Sequence, residues 1–290
     1  MSSIVSRRGA LIAATFIALL ALIAMAAPII SPYSPTAQLD IVLQKAQPPS
    51  WAHLFGTDIA SRDLLSRVIY GGRTSLSVAL LAVVLSTTVG IAYGMVAGYA
   101  GGVTDMVMMR LLDGLLAIPR VLLLIVALSF WSGGGEPALI IGIGLTGWFG
   151  MSRLVRAEVI AAKPREYVSA AVALGASSRR ILIRHILPNV IGPATVSATV
   201  AVAQVIALEA GLSFLGLGAR TAHASWGSII LDGQGAFAEF WWIPLFPGLA
   251  VVSTALAFNV LGDGLREVVS GRQLDGRGAP ADPPQTAATA

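Results

Sequence analysis

The sequence predicts an all-α integral membrane protein with six transmembrane helices. Hydrophobic residues make up 56% of the 290 positions and charged residues only 12%, whereas soluble domains carry roughly 25% charged residues. The mean hydropathy is +0.79. Six apolar stretches approach or exceed the length of about 20 residues that a helix needs to cross a bilayer. We therefore expect a fold built from membrane-spanning helices.

The spans are predicted from the positions of uncharged runs. Two candidates are interrupted by charge: residues 111–131 contain Asp113 and Arg120, and residues 137–152 need another turn beyond Arg153. The first span could instead be a cleaved signal peptide. Its 21 uncharged residues exceed the roughly 7 to 15 of a signal peptide's apolar region, which favours an uncleaved anchor. The four uninterrupted runs are residues 10–30, 74–104, 186–208 and 240–262.

The distribution of Arg and Lys predicts the orientation, because these residues accumulate in short cytoplasmic loops. With the N-terminus inside, 13 of the 19 basic residues lie on the inner side and 5 on the outer side, with Arg120 in or beside a span. Both termini are therefore expected in the cytoplasm. Since the charges flank apolar runs, membrane lipid is an expected partner and nucleic acid is not.

This topology divides the chain into four parts. A short helix along the membrane surface is expected at residues 58–70 of the external segment, and residues 153–188 form a cytoplasmic loop within the core. Trp226, Trp241 and Trp242 are expected as interfacial anchors. The parts are the N-terminal tail with the first span, the external segment, the core of spans two to six, and a C-terminal tail predicted to be disordered, at residues 1–30, 31–73, 74–265 and 266–290.

The sequence offers no catalytic or nucleotide-binding motif. A P-loop needs Gly-Lys followed by Ser or Thr, but Lys45 and Lys163 follow Gln44 and Ala162. No His-Glu-x-x-His zinc motif occurs, and the chain has no Cys. We therefore expect no catalytic residue, no metal site and no cofactor in this chain, and we favour a transport protein over an enzyme.

Three ionisable residues in or near the spans keep a stand-alone secondary transporter as an alternative, since such residues often form ion or proton relays. They are Asp113, Arg120 and Glu209. Asp113 and Arg120 are seven residues apart and would share one face of a continuous helix, and Arg110 could pair with Asp113. Glu209 is placed at the outer end of span five, within reach of water. Structural pairing is favoured over a relay.

The loop at residues 153–188 is more polar than a simple connection requires, with seven basic and two acidic residues before Pro188. Pro164 can begin a helix, and Glu166 suits its positive end. Ala170, Ala171 and Ala173 favour helix formation with little bulk, and Gly175 falls on nearly the same face as Ala171. This pattern predicts a short helix whose small residues fit a partner's cleft. Positive-inside charge alone explains the arginines but not the small residues.

The segment SAAVALGASSRRILIRHILP, residues 169–188, resembles the EAA loop of ABC importer permeases. That loop reads Glu-Ala-Ala, three residues, Gly, nine residues and Ile-x-Leu-Pro. Ser169 replaces the glutamate and His185 replaces the first isoleucine, while Glu166 is placed to substitute for the missing carboxylate. The matching positions are Ala170, Ala171, Gly175, Leu187 and Pro188.

A longer resemblance covers most of the chain. HLFGTDIASRDLLSRVIYGGRTSLSVAL, residues 53–80, is similar to the signature of the C-type permease of dipeptide, oligopeptide and nickel importers, with Ser61 replacing one glycine. The usual Asp-Pro-Arg near the C-terminal end is replaced by Ser270, Gly271 and Arg272. Further similar segments are GYAGGVTDMVMMRLLDGLLAIP, EAGLSFLGLG, SWGSII and FNVLGDGLRE.

The resemblance implies a type I ABC importer permease fold in a bacterial cytoplasmic membrane. The chain would form half of a channel for short peptides, or alternatively for nickel or another small solute. The implied partners are a second homologous permease subunit, two nucleotide-binding domains that bind ATP and Mg, and an external solute-binding protein. Coupling to the ATPase would involve Glu166, Ser169, Ala170, Ala171, Gly175 and Pro188.

Overall fold

The computed structural model describes residues 2–40, 43–131, 134–218 and 224–275. Within these ranges the regular structure is helical, with a single isolated bridge between Thr57 and Asp63. One π-helical turn spans Leu182–Ile186 and one 3-10 turn spans Gln234–Ala236. The helices are α1 Ser2–Met25, α2 Ala27–Ile30, α3 Leu64–Ala100, α4 Gly102–Leu116, α5 Arg120–Phe130, α6 Gly135–Ala162, α7 Glu166–Ala173, α8 Ser178–Ile181, α9 Leu187–Phe214, α10 Trp226–Asp232 and α11 Trp242–Asp275.

Five helical segments in the described part of the chain are long and apolar enough to cross a membrane. A sixth span is obtained if the bent pair α4 and α5 is counted as one. The prediction of an all-α membrane protein with six spans is therefore confirmed, with one span broken. The five segments are Arg8–Met25, Leu64–Ala100, Gly135–Ala162, Ser178–Phe214 and Trp242–Val269.

The surface helix predicted at residues 58–70 is not a separate element. Residues 58–63 form turns, and α3 then runs without interruption from Leu64 into the second span. Asp63 caps this helix because its Oδ2 accepts a hydrogen bond from the Ser66 N–H at 2.8 Å. The predicted span begins only at residue 74, after Arg73. The helix tolerates Arg67 because this side chain is buried in ion pairs.

The third span is broken between Leu116 and Arg120, and the two halves meet at 85°. Pro119 explains the break, since proline has no N–H and moves the residue before it out of the helical region. The expectation that Asp113 and Arg120 share one face of a continuous helix is therefore wrong. The two residues belong to differently directed helices, α4 and α5.

Glycines allow α3 and α6 to pack closely along their length. Gly90, Gly94 and Gly98 are spaced four residues apart, so they line one face of α3. A Cβ at Gly94 would lie 2.5 Å from the Ser152 carbonyl oxygen and 2.8 Å from the Val155 Cβ. Small residues at such spacing let helix backbones approach each other in membranes. This contact fixes α6, and with it the start of the loop that carries α7.

Residues 31–63 are held against the helices by buried polar contacts. Asp58 accepts hydrogen bonds from Arg62 and Arg67, and both arginines also contact Asp232 at the end of α10. These ion pairs join the segment before α3 to the connection between α9 and α11. The described part of this segment is therefore fixed in position by charge pairing.

Two of the three tryptophans predicted as interfacial anchors are buried. The Trp226 indole N–H donates to the Val68 carbonyl oxygen at 2.9 Å, and the Trp242 indole N–H donates to the Thr57 carbonyl oxygen at 3.1 Å. Trp241 remains exposed. The anchor prediction is therefore wrong for Trp226 and Trp242, because buried carbonyl groups supply the partners that headgroups were expected to offer.

The last helix is longer than predicted. α11 continues to Asp275, so the predicted disordered tail at residues 266–290 begins as helix. Asp263, Arg266 and Glu267 follow the uncharged stretch, but charged residues do not end a helix. The rest of the tail, residues 276–290, lies outside the described residues.

Candidate functional site between α6 and α9

α7 is a two-turn helix in the connection between α6 and α8, and it contains four of the six predicted coupling residues. It begins directly after Arg165, whose backbone is extended (φ −72°, ψ 147°). Glu166 lies in its first turn, where a negative charge suits the helix dipole. The predicted short helix is thus present at the predicted position.

Gly175 ends this helix rather than providing a packing face. Its φ is +76°, which is a left-handed conformation that glycine adopts easily. The Gly175 N–H donates to the Val172 carbonyl oxygen and the Ala176 N–H to the Ala171 carbonyl oxygen, at 2.9 and 3.0 Å. This is the Schellman arrangement of a helix C-terminus. Nothing lies within 4 Å of a Cβ built at Gly175.

The two faces of α7 differ from the predicted arrangement. Val168 and Ala171 are buried and belong to one apolar cluster with Ile181, Ile186 and Val190. Ala171 therefore faces its own chain, and the expected shared face of Ala171 and Gly175 is wrong. Leu174, at the tip of the loop, is 88% exposed. Apart from Tyr167 and Gly175, the exposed residues of α7 and its C-terminal turn, called the α7 outer face below, are Glu166, Ser169, Ala170, Val172, Ala173 and Leu174.

The connection from α8 to α9 contains the π-helical turn Leu182–Ile186. The Leu187 N–H donates to the Leu182 carbonyl oxygen, five residues earlier. Pro188 follows within the first positions of α9, where its missing N–H is tolerated. Ile186 is completely buried, whereas His185 is only partly buried. The buried apolar residue of this turn is therefore Ile186, next to the position at which the EAA pattern has isoleucine.

Asp113 and a second acid on α4 pair with basic residues of α6. The Asp113 Oδ1 atom lies 2.5 Å from the Arg153 Nη2 atom, so Asp113 pairs with Arg153 rather than with Arg110. The side chains of Asp113 and Arg153 are both about half exposed. Asp105 accepts two hydrogen bonds from Arg156, at 2.5 and 2.6 Å. These pairs join α4 to the end of α6 that precedes α7. The Asp105–Arg156 pair was not predictable from the sequence, because its members are 51 residues apart.

Arg120 contacts α6 at a point where glycines leave room. Its Nη2 donates to the Ile143 carbonyl oxygen at 3.1 Å, and a Cβ at Gly147 would lie 3.0 Å from the same nitrogen. In the described part of the chain the buried Nε atom has no hydrogen-bond partner. Arg120 therefore braces the start of α5 against α6.

Glu209 is fully buried, with 0% exposure, so the expectation that water reaches it is wrong. Its two carboxylate oxygens accept hydrogen bonds from the Ser75 and Ser213 hydroxyls, at 2.9 and 2.7 Å. The Ser75 hydroxyl oxygen accepts a hydrogen bond from the Trp226 backbone N–H, and the Ser213 hydroxyl oxygen accepts one from the Ser225 hydroxyl. Asp113, Arg120 and Glu209 each have a separate set of contacts, which favours structural roles over a shared relay.

A cavity of about 500 Å³ lies among α3, α6, α9 and α11. It extends along twelve residues of α9, from Pro193 to Gln204, whose Cα atoms span about 17 Å of helix. Its wall was not predictable from the sequence, because the six polar residues are distributed over four separate helices. These polar residues are Ser86, Thr87, Glu158, Ser197, Gln204 and Arg266.

Two sequence families match this chain. Residues 90–274 match the family described as the binding-protein-dependent transport system inner membrane component. Residues 3–49 match the N-terminal TM domain of oligopeptide transport permease C. The first match covers the α7 loop, four of the spans and all of the cavity lining except Ser86 and Thr87. The chain belongs to this family of transport permeases.

Individual relatives are similar over most of their length. The dipeptide transport system permease protein of Bacillus subtilis is 40% identical over 247 residues, which are 85% of this chain and 76% of the relative. The oligopeptide transport system permease protein of the same organism is 39% identical over 265 residues, covering 91% and 86%. The dipeptide permease of Haemophilus influenzae is 39% identical over 271 residues and covers 90% of each chain.

The fold also matches a solved permease. A structure of the MetNI methionine ABC transporter in an inward facing conformation aligns with a TM-score of 0.56 and 16% identity, covering 68% of this chain and 93% of that chain. The predicted type I permease fold is thereby confirmed. The protein is a multi-pass membrane permease subunit of an ABC transporter, and the channel role is favoured over a stand-alone secondary transporter.

Proposed function

We propose that this permease forms half of the translocation channel of an importer for short peptides. The observation that carries the proposal is the identity of about 40% to dipeptide and oligopeptide permeases over 85 to 91% of the chain. An external solute-binding protein would deliver the peptide. The membrane is the bacterial cytoplasmic membrane, with both termini in the cytoplasm, as the distribution of Arg and Lys predicts.

The energy would come from separate subunits. This sequence has no P-loop, so ATP and Mg are assigned to two nucleotide-binding domains. The α7 outer face supports a docking role, because Leu174 projects from small neighbours and is almost fully exposed. An exposed leucine at the tip of a rigid loop suits a pocket on a partner. Ala171 would contribute indirectly, by holding α7 against α9.

The cavity among α3, α6, α9 and α11 is proposed as this subunit's share of the peptide pathway. Its wall mixes hydroxyl and amide groups with apolar side chains, which suits a cargo with many backbone hydrogen-bonding groups. The second homologous permease subunit would supply the remaining wall. Closure of the ATPase pair would then switch the two-subunit bundle between two packings.

The test is reconstitution of the chain with its genomic neighbours: the second permease, the ATPases and the binding protein. Proteoliposomes are loaded with ATP, and uptake of labelled dipeptides and tripeptides is measured with and without the binding protein. Uptake that requires ATP and the binding protein is expected, with an ATPase P-loop lysine variant as the inactive control. Nickel uptake without peptide uptake would contradict the substrate. Gradient-driven uptake by this chain alone would contradict the permease mechanism.

A further inference from the structure

The first turns of α9 lack two of the hydrogen bonds that stiffen a helix. Proline has no N–H, so Pro188 cannot donate to the Arg184 carbonyl oxygen, and Pro193 cannot donate to that of Asn189. The π-helical turn Leu182–Ile186 precedes them directly. Changes of hydrogen-bonding pattern within a helix often mark functional hinges. The stretch between this turn and Pro193 is therefore the most easily bent part of α9.

The Asn189 side chain connects this stretch to α7. Its amide nitrogen donates to the His185 carbonyl oxygen at 2.8 Å and lies 3.2 Å from the Tyr167 hydroxyl oxygen. An amide NH₂ group has two hydrogens, so one side chain can make both contacts. The contact with His185 joins α9 to the π-helical turn before it, and the contact with Tyr167 joins α9 to α7.

The remaining contacts between α7 and this region are apolar. Val168 and Ala171 belong to the buried cluster of Ile181, Ile186 and Val190. Apolar packing holds the helices together but is not directional. The hydrogen bond from Asn189 to Tyr167 is directional, so it fixes how α7 is rotated relative to α9.

We propose that Tyr167 and Asn189 are the positioning pair through which displacement of α7 bends the start of α9 and changes the cavity. This inference rests on the proposed function, in which α7 docks on an ATPase. The geometry is direct, because Pro193, one turn after Asn189, already lines the cavity. A displacement of α7 is then transmitted to the cavity wall through the Tyr167–Asn189 hydrogen bond and the weakened segment of α9 that ends at Pro193.

Three variants separate the two contacts of Asn189. Tyr167→Phe removes the contact between helices and keeps the ring. Asn189→Ala removes both contacts. Asn189→Asp loses the donor to His185 but gives the Tyr167 hydroxyl an acceptor, so it restores a bond between the helices. Thr195→Val is the matched control, since the Thr195 hydroxyl donates only to the Ile191 carbonyl oxygen within α9.

The first measurement is the number of peptides imported per ATP hydrolysed in proteoliposomes with the complete transporter. We expect Tyr167→Phe and Asn189→Ala to lower this ratio about two- to tenfold, the range that loss of one hydrogen bond allows. Complex assembly and ATP hydrolysis should remain, and Asn189→Asp should retain more coupling than Asn189→Ala. Wild-type ratios in both loss variants, or loss of assembly together with all activity, would overturn the positioning role.

The second measurement does not depend on the cargo. Hydrogen exchange of α7 and α9 is compared in the complete transporter with and without ATP. In the wild type, ATP should change the exchange of both segments, whereas in Tyr167→Phe it should change α7 alone. If ATP changes the hydrogen exchange of α7 and α9 equally in Tyr167→Phe, the positioning role of Tyr167 and Asn189 is refuted. A transporter that imports another solute would contradict the proposed peptide substrate and leave this comparison decisive.

Discussion

The Glu209 carboxylate of α9 lies 2.9 Å from the Ser75 hydroxyl of α3. The carboxylate also accepts a hydrogen bond from the Ser213 hydroxyl, and the Ser75 hydroxyl oxygen accepts one from the backbone N–H of Trp226 in α10. One buried acid therefore holds three helices together near one end of the bundle. A carboxylate in this position serves as an acceptor for donors that would otherwise be buried without partners.

Replacing this acid should destabilise the bundle. Glu209→Leu leaves two buried hydroxyls without an acceptor, at a cost of about 1–3 kcal/mol each. The two costs together are expected to lower the midpoint of thermal unfolding in detergent by about 4–20 °C. Glu209→Gln keeps one acceptor oxygen, so its midpoint of thermal unfolding should lie between those of the wild type and Glu209→Leu. The matched control is Glu239→Gln at an exposed position, and equal midpoints for Glu209→Leu and this control would contradict the role.

The glycine face of α3 should tolerate no added methyl group. A Cβ at Gly94 meets the α6 backbone at 2.5 Å, so Gly94→Ala must separate the helices, at a cost of about 1–3 kcal/mol. Gly114→Ala in α4 is the control, because nothing lies within 4 Å of its Cβ. The midpoint of thermal unfolding should be lower than in the wild type for Gly94→Ala and unchanged for Gly114→Ala. If both variants unfold at the same temperature, α3 and α6 do not pack as described.

The buried charge cluster before α3 gives a graded prediction. Asp58 and the side chain of Arg67 are 0% and 3% exposed. Asp58→Ala should cost about 3–5 kcal/mol, because Arg67 loses its most deeply buried partner. Arg62→Gln affects a more exposed side chain and should cost about 1 kcal/mol or less. Unfolding midpoints in detergent should rank the wild type above Arg62→Gln and Arg62→Gln above Asp58→Ala. The reverse order would show that the cluster is not a buried anchor.

The two faces of α7 should respond differently to mutation. Leu174→Asp places a charge on the α7 outer face and should weaken binding of the ATPase subunits about tenfold or more, without changing thermal stability. Ala171→Leu overfills the buried side and should lower stability by about 1–3 kcal/mol. ATPase binding is measured by titration of the purified permease pair, and stability by thermal unfolding. An unaltered ATPase affinity for Leu174→Asp would argue against docking at this face.

Filling the cavity should block uptake without preventing ATP hydrolysis. Gly150 lines the cavity and nothing lies within 4 Å of its Cβ, so Gly150→Trp can occupy the space without forcing the backbone apart. We expect peptide uptake in proteoliposomes to be nearly abolished while the complex still hydrolyses ATP. Gly248→Trp is the control, because Gly248 is equally unobstructed and lies outside the cavity wall. Normal uptake by Gly150→Trp would exclude this cavity from the pathway.

Local features of the site were predictable because neighbouring residues determine them. Pro164, Glu166 and the alanines predict α7, whereas Gly175 was predicted to belong to its small face and instead ends the helix. The sequence did not predict which side of α7 faces its own chain, since Ala170 and Ala171 are chemically identical and only packing against Ile181 and Ile186 distinguishes them. Tyr167 and Asn189 were missed for the same reason, because they meet only after α7 folds back onto α9.

The sequence by itself determined the all-α membrane class, the number of spans and the family, because long apolar runs have no other stable arrangement in a bilayer and because the family motifs are contiguous. Only the tertiary structure decided which polar groups meet. Asp113 pairs with Arg153, Glu209 is sealed between serines, and Pro119 turns one span into two differently directed helices. The Asp113–Arg153 and Glu209–Ser75 contacts join residues 40 and 134 positions apart in sequence, so the partners meet only in the folded chain.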